Sequence, residues 1–259
     1  MNDSDQPTVT LSGEVRMPLL GFGTWQLTGS AGRDAVLAAL DAGYRHLDTA
    51  TMYGNESEVG QALRDSGLRR EDVFVTTKIP AERVGRERET LEASLAALGV
   101  DHLDLWLIHW PPADDGVGMW QRLLELRDEG LTRAVGVSNY ATTQLDELIG
   151  RTAEAPAVNQ IRWAPALYDA ARLAEHRERG IVLEGYSPFR STDLGDPALT
   201  RIAEAHGVTP AQVVLRWHVD HEIVVIPKSA TPDRIRANAE IFTFSLTPDE
   251  LRAVDALGA

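Results

Sequence analysis

Four side chains with complementary acid–base chemistry stand near the ends of three successive predicted β-strands. They are the carboxylate of Asp48, the phenol of Tyr53, the ammonium of Lys78 and the imidazole of His109. An ordinary tyrosine has a pKa of about 10 and gives up its proton poorly at neutral pH, but a nearby ammonium stabilises the phenolate. We therefore expect Lys78 to lower the pKa of Tyr53, and Asp48 to hold Lys78 charged. His109 can donate a hydrogen bond to a substrate or share the phenolic proton.

The spacing of these residues repeats with a period of one strand and one helix. Asp48 precedes Lys78 by 30 positions, Lys78 precedes His109 by 31, and His109 precedes Asn139 by 30. This step is typical of the repeating unit of a (β/α)8 barrel, in which functional side chains lie at the carboxyl ends of the strands.

Apolar runs that alternate with amphipathic stretches predict eight strands with helices between them. The alternation predicts an α/β fold with a parallel sheet, and eight units favour closure into a TIM barrel, with an open doubly wound sheet as the alternative. A β-hairpin over Thr8–Pro18 precedes the barrel, an extra helix over Pro248–Leu257 closes the chain, and residues 1–259 are expected to form a single domain. The predicted strands are Leu19–Trp25, Tyr44–Asp48, Val73–Lys78, Leu103–His109, Thr132–Val137, Ala157–Gln160, Ile181–Tyr186 and Glu222–Ile226.

The amino-acid composition excludes several classes of binding partner and of chemical site. The net charge of −14 argues against binding to nucleic acid or to anionic membranes. Cysteine is absent from the sequence, which excludes disulfides, zinc–thiolate sites and thiol nucleophiles. We expect no metal site. The N-terminal residues do not resemble a signal peptide and the apolar runs are too short to span a bilayer, so we expect a cytoplasmic protein.

Polar or aromatic residues stand at the ends of seven of the eight predicted strands. Each one alone has a plain structural interpretation, such as an ion pair for Asp48 and Lys78 or a hydrogen-bonded core histidine for His109. Their common register favours a shared site. In strand order from the second strand to the eighth, these residues are Asp48, Lys78, His109, Asn139, Gln160, Tyr186 and Lys228.

A second group of residues has the chemistry of an anion site. Lys228 and Arg234 flank the start of a predicted helix, and Ser229 and Thr231 add hydroxyls beside its free N–H groups. The alternative is a capped surface helix with incidental basic residues.

The familiar nucleotide-binding and hydrolase motifs are missing. Gly21–Gln26 begins like a dinucleotide fingerprint, but Gln26 replaces the third glycine, so the glycines are expected to serve a tight turn. No P-loop pattern is present. Gly136–Tyr140 has Tyr140 where a nucleophile elbow needs glycine, which argues against a serine hydrolase.

Six segments, taken in order, resemble the aldo-keto reductases, in particular the prokaryotic 2,5-diketo-gluconate reductase-like branch. The resemblance runs from about residue 8 to 257. It implies a monomeric (β/α)8 oxidoreductase that uses NADPH to reduce small aldehydes or ketones, with NADP+ as the oxidised cofactor. The segments are Leu19–Trp25, Gly43–Glu56, Leu107–Pro111, Gly136–Asn139, Tyr186–Pro188 and Ile226–Ser229.

The resemblance also implies a role for individual residues. Tyr53 would be the general acid, tuned by Lys78 and Asp48, with His109 orienting the carbonyl. Trp25, His109 and Trp110, with Met52 and Phe189, would wall the substrate site. Gly23 and Thr24 would contact the cofactor, Ser138, Asn139 and Gln160 would bind its carboxamide, and Tyr186 would stack on the nicotinamide ring. Ser187 would line the pyrophosphate. Lys228, Ser229 and Arg234 would bind the 2′-phosphate, and Asn238 would lie near the adenine.

The sequence departs from the family pattern at several positions. Ala237 replaces a common glutamate, and Arg162 begins an unusual segment after Gln160. Glu184 lies two residues before Tyr186, so it should point inward, where a carboxylate needs a partner; Arg162 is the candidate. The short connection after His109 and the short C-terminus predict an open, shallow pocket.

Two other functions fit the sequence less well. One is an NADP(H)-binding regulatory or sensor barrel with negligible turnover, which the intact set of acid–base residues disfavours. The other is a barrel hydrolase with Asp48 and Glu184 as a carboxylate pair.

Overall fold

The computed structural model describes residues 6–113 and 116–258, which form a two-stranded hairpin followed by an eight-stranded parallel sheet. The hairpin strands β1 and β2 pair antiparallel, with Val9 opposite Met17. The strands are β1 (Thr8–Thr10), β2 (Arg16–Pro18), β3 (Phe22–Gly23), β4 (His46–Asp48), β5 (Phe74–Ile79), β6 (Leu103–Ile108), β7 (Thr132–Ser138), β8 (Val158–Arg162), β9 (Val182–Tyr186) and β10 (Val224–Ile226).

The eight-stranded sheet closes on itself. Its strands are ordered from β3 to β10 without a crossover, as expected when each helix returns the chain to the adjacent position. Leu20 forms a parallel bridge with Val225, and the backbone N–H of Gly21 donates to the carbonyl of Val225 at 2.9 Å. The predicted (β/α)8 barrel with an N-terminal hairpin is therefore confirmed, and the open doubly wound sheet is wrong.

Helices cover the outside of the sheet, and their ends follow the capping residues of the sequence. Thr209 and Thr247 form capping boxes with Gln212 and Glu250, each followed by proline in the first turn. The α-helices are α1 (Gly29–Asp41), α2 (Glu56–Asp65), α3 (Glu87–Leu98), α4 (Val117–Asp128), α5 (Thr142–Thr152), α6 (Ala170–Glu178), α7 (Pro197–His206), α8 (Pro210–Asp220), α9 (Pro232–Ala239) and α10 (Pro248–Asp255). Short 3₁₀ turns span Ser12–Glu14, Thr51–Tyr53, Arg70–Asp72, Ala81–Arg83, Pro165–Leu167 and Ala256–Gly258.

The first barrel strand is shorter than the sequence predicts. The prediction of a strand over Leu19–Trp25 is wrong in extent, because β3 covers only Phe22–Gly23. Glycine is required just before it: a Cβ on Gly21 would lie 2.4 Å from the Nδ1 atom of His46. The glycine therefore lets the backbone pass directly over a buried imidazole.

The strands are buried on both faces, as in other parallel sheets. Every residue of β5 and β6 is buried. Within the described ranges, none of the helices combines the length and apolar character needed to cross a bilayer. That residues 1–259 form one domain stays a prediction.

Candidate active site

A pocket of about 570 Å³ opens at the carboxyl ends of the barrel strands. This is the end at which (β/α)8 barrels place their functional groups. Its wall includes fourteen of the candidate site residues singled out from the sequence. These are Gly23, Trp25, Asp48, Met52, Tyr53, His109, Trp110, Ser138, Asn139, Gln160, Tyr186, Ser187, Phe189 and Lys228, and the remaining wall residues are Pro188, Arg190 and Ile226.

A buried ion pair lies beneath Tyr53. The Nζ atom of Lys78 donates to both carboxylate oxygens of Asp48, at 2.6 and 2.8 Å, and to the backbone carbonyl of Thr49 at 2.8 Å. Lys78 is fully buried and its Nζ lies 5.3 Å from the ring centre of Tyr53. The structure thus brings together the phenol, the ammonium and the carboxylate that the sequence predicts to cooperate.

The pKa of Tyr53 differs from the sequence-based expectation. Burial raises the pKa of this phenol, the charge of Lys78 lowers it and the charge of Asp48 raises it, and the net direction is upward. Lys78 acts in the predicted direction, but the expected net lowering is wrong, because burial of the phenol, which is the largest effect, and the charge of Asp48 together outweigh it. The consequence is that Tyr53 keeps its proton throughout the neutral range.

His109 stands beside Tyr53 as a neutral imidazole. The two ring centres are 5.7 Å apart in an edge-to-face arrangement. Burial, and to a lesser extent the charge of Lys78, lower the pKa of His109 to about 3. A neutral imidazole donates a hydrogen bond without carrying charge, which suits a group that orients a carbonyl oxygen.

The residues expected at a nicotinamide ring form one hydrogen-bonded row. The hydroxyl of Tyr186 donates to Oδ1 of Asn139 at 2.9 Å, and Nδ2 of Asn139 donates to Oγ of Ser138 at 2.9 Å. Nε2 of Gln160 donates to Oδ2 of Asp48 at 2.8 Å, which links the row to the ion pair. Asn139 and Ser187 have φ values of 64° and 56°, a left-handed conformation that turns the chain sharply where strands β7 and β9 end.

The basic segment lies at one end of the pocket. Lys228 lines the wall and is exposed, while Arg234 lies exposed on α9, outside the pocket wall. Neither cation has an ion pair among the described residues. Ser229 and Asn238 are largely buried and lie outside the wall, and Oγ of Ser229 accepts a hydrogen bond from the N–H of Thr231 at 3.1 Å.

Thr24 supports the site from outside the pocket. It is fully buried and its hydroxyl donates to the carbonyl of Asp48 at 3.0 Å. Its hydroxyl therefore has a structural role, and the prediction that Thr24 contacts a cofactor stays a prediction. Asn55, to which the sequence analysis assigned no role, donates to the carbonyls of Thr24 and Leu27 and accepts from Thr49. Its place two residues after Tyr53 could have suggested that it fixes the loop carrying the phenol.

The expected substrate wall is apolar and open. Trp25, Met52 and Trp110 are 48%, 59% and 51% exposed, and they are three of the five exposed large apolar side chains in the described part of the chain. Phe189 joins them in the wall, as the sequence predicts. Exposed aromatic surface around a pocket mouth is typical of a binding site for a small organic ligand. Arg190, which the sequence analysis did not single out, adds a cation to this wall.

Glu184 is buried one layer beneath the pocket. It is fully inaccessible, and Nε2 of His46 lies 3.8 Å from its Oε1 atom. The proposed partner Arg162 is wrong: this residue is exposed, and its Nη2 donates to Oγ of Ser191. Since Asp48 is committed to Lys78 and Glu184 does not reach the pocket, the geometry does not favour a hydrolytic carboxylate pair.

Glu184 leads to a prediction about stability and pH. Burial, and to a lesser extent the charge of Asp48, raise the pKa of Glu184 to about 8 against the opposing effects of Gln160 and Lys78. A carboxyl with a raised folded-state pKa stabilises the fold fully below its unfolded-state value, and that contribution is lost as the pH rises through the folded-state value. Relative to a Glu184→Gln variant, the wild type should lose about 2 kcal/mol of unfolding free energy between pH 5 and pH 7. Urea denaturation of both proteins at the two pH values measures this difference, and a constant difference would contradict the prediction.

Among the described residues, no group of three or more His, Asp or Glu side chains could hold a metal ion.

Comparisons with known proteins agree with this arrangement. The model of the aldo/keto reductase family matches residues 19–259. An aldo-keto reductase from Mycolicibacterium vanbaalenii is 45% identical over 97% of this chain and 92% of its own length. A 2,5-diketo-D-gluconic acid reductase B from a Corynebacterium species is 44% identical over 97% of this chain and 93% of its own length. The crystal structure of an aldo/keto reductase from Brucella melitensis superposes with a TM-score of 0.94 at 40% identity, covering 98% of this chain and all of that one.

Proposed function

Because the chain belongs to the aldo/keto reductase family and is an oxidoreductase on that ground, we propose that it reduces the carbonyl group of aldehydes or ketones with NADPH. The observation that supports this most directly is the placement of Tyr53 at the pocket, between a buried Lys78–Asp48 pair and a neutral imidazole. General acid catalysis needs a donor that is protonated at the working pH and whose conjugate base is stabilised.

Each residue of the site has a separate role in carbonyl reduction. NADPH, when bound, supplies the hydride to the carbonyl carbon. His109 donates a hydrogen bond that orients the carbonyl oxygen. As the C=O π bond breaks, that oxygen takes the proton of the Tyr53 hydroxyl. The ammonium of Lys78, held by Asp48, stabilises the phenolate that remains.

The pocket and the basic segment at its end offer matching groups for each part of the cofactor. Ser138, Asn139 and Gln160 would bind the carboxamide, the Tyr186 ring would stack on the nicotinamide, and Gly23 and Ser187 would line the pyrophosphate. The hydroxyl of Ser229 and the amide of Asn238 would serve the adenosine end. Lys228 and Arg234 supply unpaired positive charge in a chain of net charge −14, which favours NADP(H) over NAD(H) because only NADP(H) carries the 2′-phosphate.

Removing the two cations should erase the preference for NADPH. Each charge-assisted hydrogen bond is worth roughly 1.5–3 kcal/mol, so we expect the Lys228→Ala/Arg234→Ala variant to bind NADPH at least about 100-fold more weakly, with NADH little affected. Titration of nucleotide fluorescence measures both affinities. Arg236→Ala is the matched control, because Arg236 lies on the same helix but pairs with Asp233. Equal losses for the two nucleotides would argue against a 2′-phosphate site.

Because the chain has few lysines, the proposed 2′-phosphate site at Lys228 can be observed directly. The sequence has only two lysines, and Lys78 is fully buried. Reductive ¹³C-methylation of the native protein should therefore label Lys228 and the N-terminal amine. We expect the NMR signal of Lys228 to move on addition of NADP+ but not of NAD+.

The proposed activity is tested by NADPH oxidation against aldehydes, ketones, α-dicarbonyls and sugars. 2,5-Diketo-D-gluconic acid belongs in this panel because one relative is named for it. We expect turnover with several small carbonyl compounds, since the apolar wall is open. NADPH binding without turnover of any of them would instead support a regulatory or sensor barrel.

We further propose that the protein acts as a cytoplasmic monomer with small-molecule substrates and without nucleic acid or membrane partners. The acidic net charge supports the expected lack of nucleic acid and membrane partners. Light scattering coupled to size-exclusion chromatography, with and without NADPH, measures the oligomeric state.

A further inference from the structure

Glu184 is a buried carboxyl to which the proposed reaction gives no task. It lies on β9 two residues before Tyr186, so its side chain points to the same face of the strand, into the barrel. Its side chain is fully inaccessible, and neither carboxyl oxygen has a hydrogen bond of good geometry within the described residues. A carboxylate without partners in such a place is costly, so the group needs an explanation.

The surroundings of Glu184 are polar but short of positive charge. The titratable groups that face it are His46 and Asp48 from β4 and Lys78 from β5. Strand β8 contributes the amide of Gln160 in register with Glu184, and β10 contributes the apolar Val224. Lys78 is already bonded to both oxygens of Asp48, so no ammonium hydrogen bond is directed to a second carboxylate.

His46 does not supply the missing charge. Its Nε2 lies 3.1 Å from the Thr76 hydroxyl and 3.8 Å from Glu184, which is too long for a hydrogen bond. Burial, and to a lesser extent the charge of Lys78, lower the pKa of His46 to about 3. A neutral imidazole beside a neutral carboxylic acid is therefore the arrangement that this layer supports at neutral pH.

We propose that Glu184 is a positioning residue for the Lys78–Asp48 pair, holding a proton inside the barrel so that this pair stays a one-to-one ion pair beneath Tyr53. The expected effect on turnover rests on the proposed function, whereas the measurement on the Lys78 side chain does not. If Glu184 ionised, two carboxylates would face one ammonium. The positive potential at Tyr53 would fall, the phenolate formed during reduction would lose stabilisation, and the reaction would slow.

The Lys78 side chain is the direct reporter of this arrangement. Because the sequence has only two lysines, ¹³C,¹⁵N-lysine labelling of the whole chain gives one buried and one exposed side-chain signal. We expect the Lys78 signal of the ligand-free protein to move with an apparent midpoint around pH 8. This midpoint describes Glu184 together with the charged groups that interact with it. The transition should vanish in Glu184→Gln.

Glu56→Gln is the matched control for the lysine measurement. Burial also raises the pKa of Glu56, which interacts electrostatically with Lys78 from the outer face of the barrel wall. We expect the Lys78 transition to survive in Glu56→Gln. A Lys78 signal that does not move in the wild type, or a transition that persists in Glu184→Gln, would overturn the proposal. Should Glu184→Gln fail to fold by circular dichroism, Glu184→Leu carries the same expectation.

Turnover supplies a second measurement. At saturating NADPH and aldehyde, the wild-type rate at pH 9 should be roughly a tenth of the rate at pH 7, whereas Glu184→Gln should change less than about twofold. The same fall in both proteins would leave Glu184 a structural residue and overturn the positioning role. If neither protein reduces any aldehyde, the proposed function fails, and the Lys78 signal still decides the inference.

Discussion

Replacing Tyr53 with phenylalanine should reduce the rate of carbonyl reduction by roughly 10²–10⁴-fold, the range that a positioned general acid contributes. The phenol lines the pocket, and the variant removes one hydroxyl while keeping the ring beside His109. NADPH binding should change little, because the cofactor groups lie elsewhere in the pocket. Stopped-flow measurement of NADPH oxidation under single-turnover conditions reports the chemical step directly.

Tyr168→Phe is the control for the loss of a tyrosine hydroxyl. Tyr168 packs against Trp163 and Trp217, outside the pocket wall, so its variant should keep wild-type kinetics. Tyr53→Phe with an unchanged rate and unchanged affinity would remove Tyr53 from the chemistry and, with it, the assignment of the general acid.

The barrel and the positions of the site residues could be predicted because both depend on strand register. Asp48, Lys78 and His109 follow one another at the step of one strand plus one helix, and the carboxyl ends of parallel strands lie at one end of the barrel. The pocket indeed includes Asp48 and His109, with Lys78 directly beneath. Periodicity was sufficient here because the barrel strands are short and mostly buried.

The details that could not be predicted depend on packing between distant segments. At the first strand, the backbone of Gly21 passes directly over the ring of His46, a contact between residues 25 positions apart. Whether the pKa of Tyr53 rises or falls depends on how deeply the phenol is buried, and the types of the neighbouring charged residues do not reveal that depth. The sequence spacing indicates which groups meet, whereas the net effect of burial and charge on the pKa can be judged only from the three-dimensional structure.

The surroundings of Glu184 also depend on packing between distant segments. Strand alternation correctly predicts that this side chain points inward, but proximity in the sequence wrongly suggests Arg162 as its partner. In the structure Arg162 bonds to Ser191. The carboxyl faces His46, which lies on a strand 138 positions away in the sequence, so only the closed barrel brings the two together.

Replacing Lys78 with methionine should both abolish reduction and destabilise the fold by about 3–5 kcal/mol, the cost of leaving a buried charge without its partner. The ammonium makes three hydrogen bonds, two to Asp48 and one to the carbonyl of Thr49, and both side chains are inaccessible. Without Lys78, the amide of Gln160 is the one side-chain donor that the described residues leave to the carboxylate of Asp48. The free energy of unfolding in urea at neutral pH measures the loss.

A double variant separates the structural from the chemical role of the pair. In Lys78→Met/Asp48→Asn no charge is left uncompensated, so most of the lost stability should return, since replacing a whole buried ion pair is often neutral or better. Reduction should stay abolished, because the phenolate of Tyr53 would still lack its ammonium. Recovery of stability without recovery of activity means that the buried pair is present for the reaction rather than for the fold. A double variant as unstable as Lys78→Met would instead make the pair a structural requirement of the barrel.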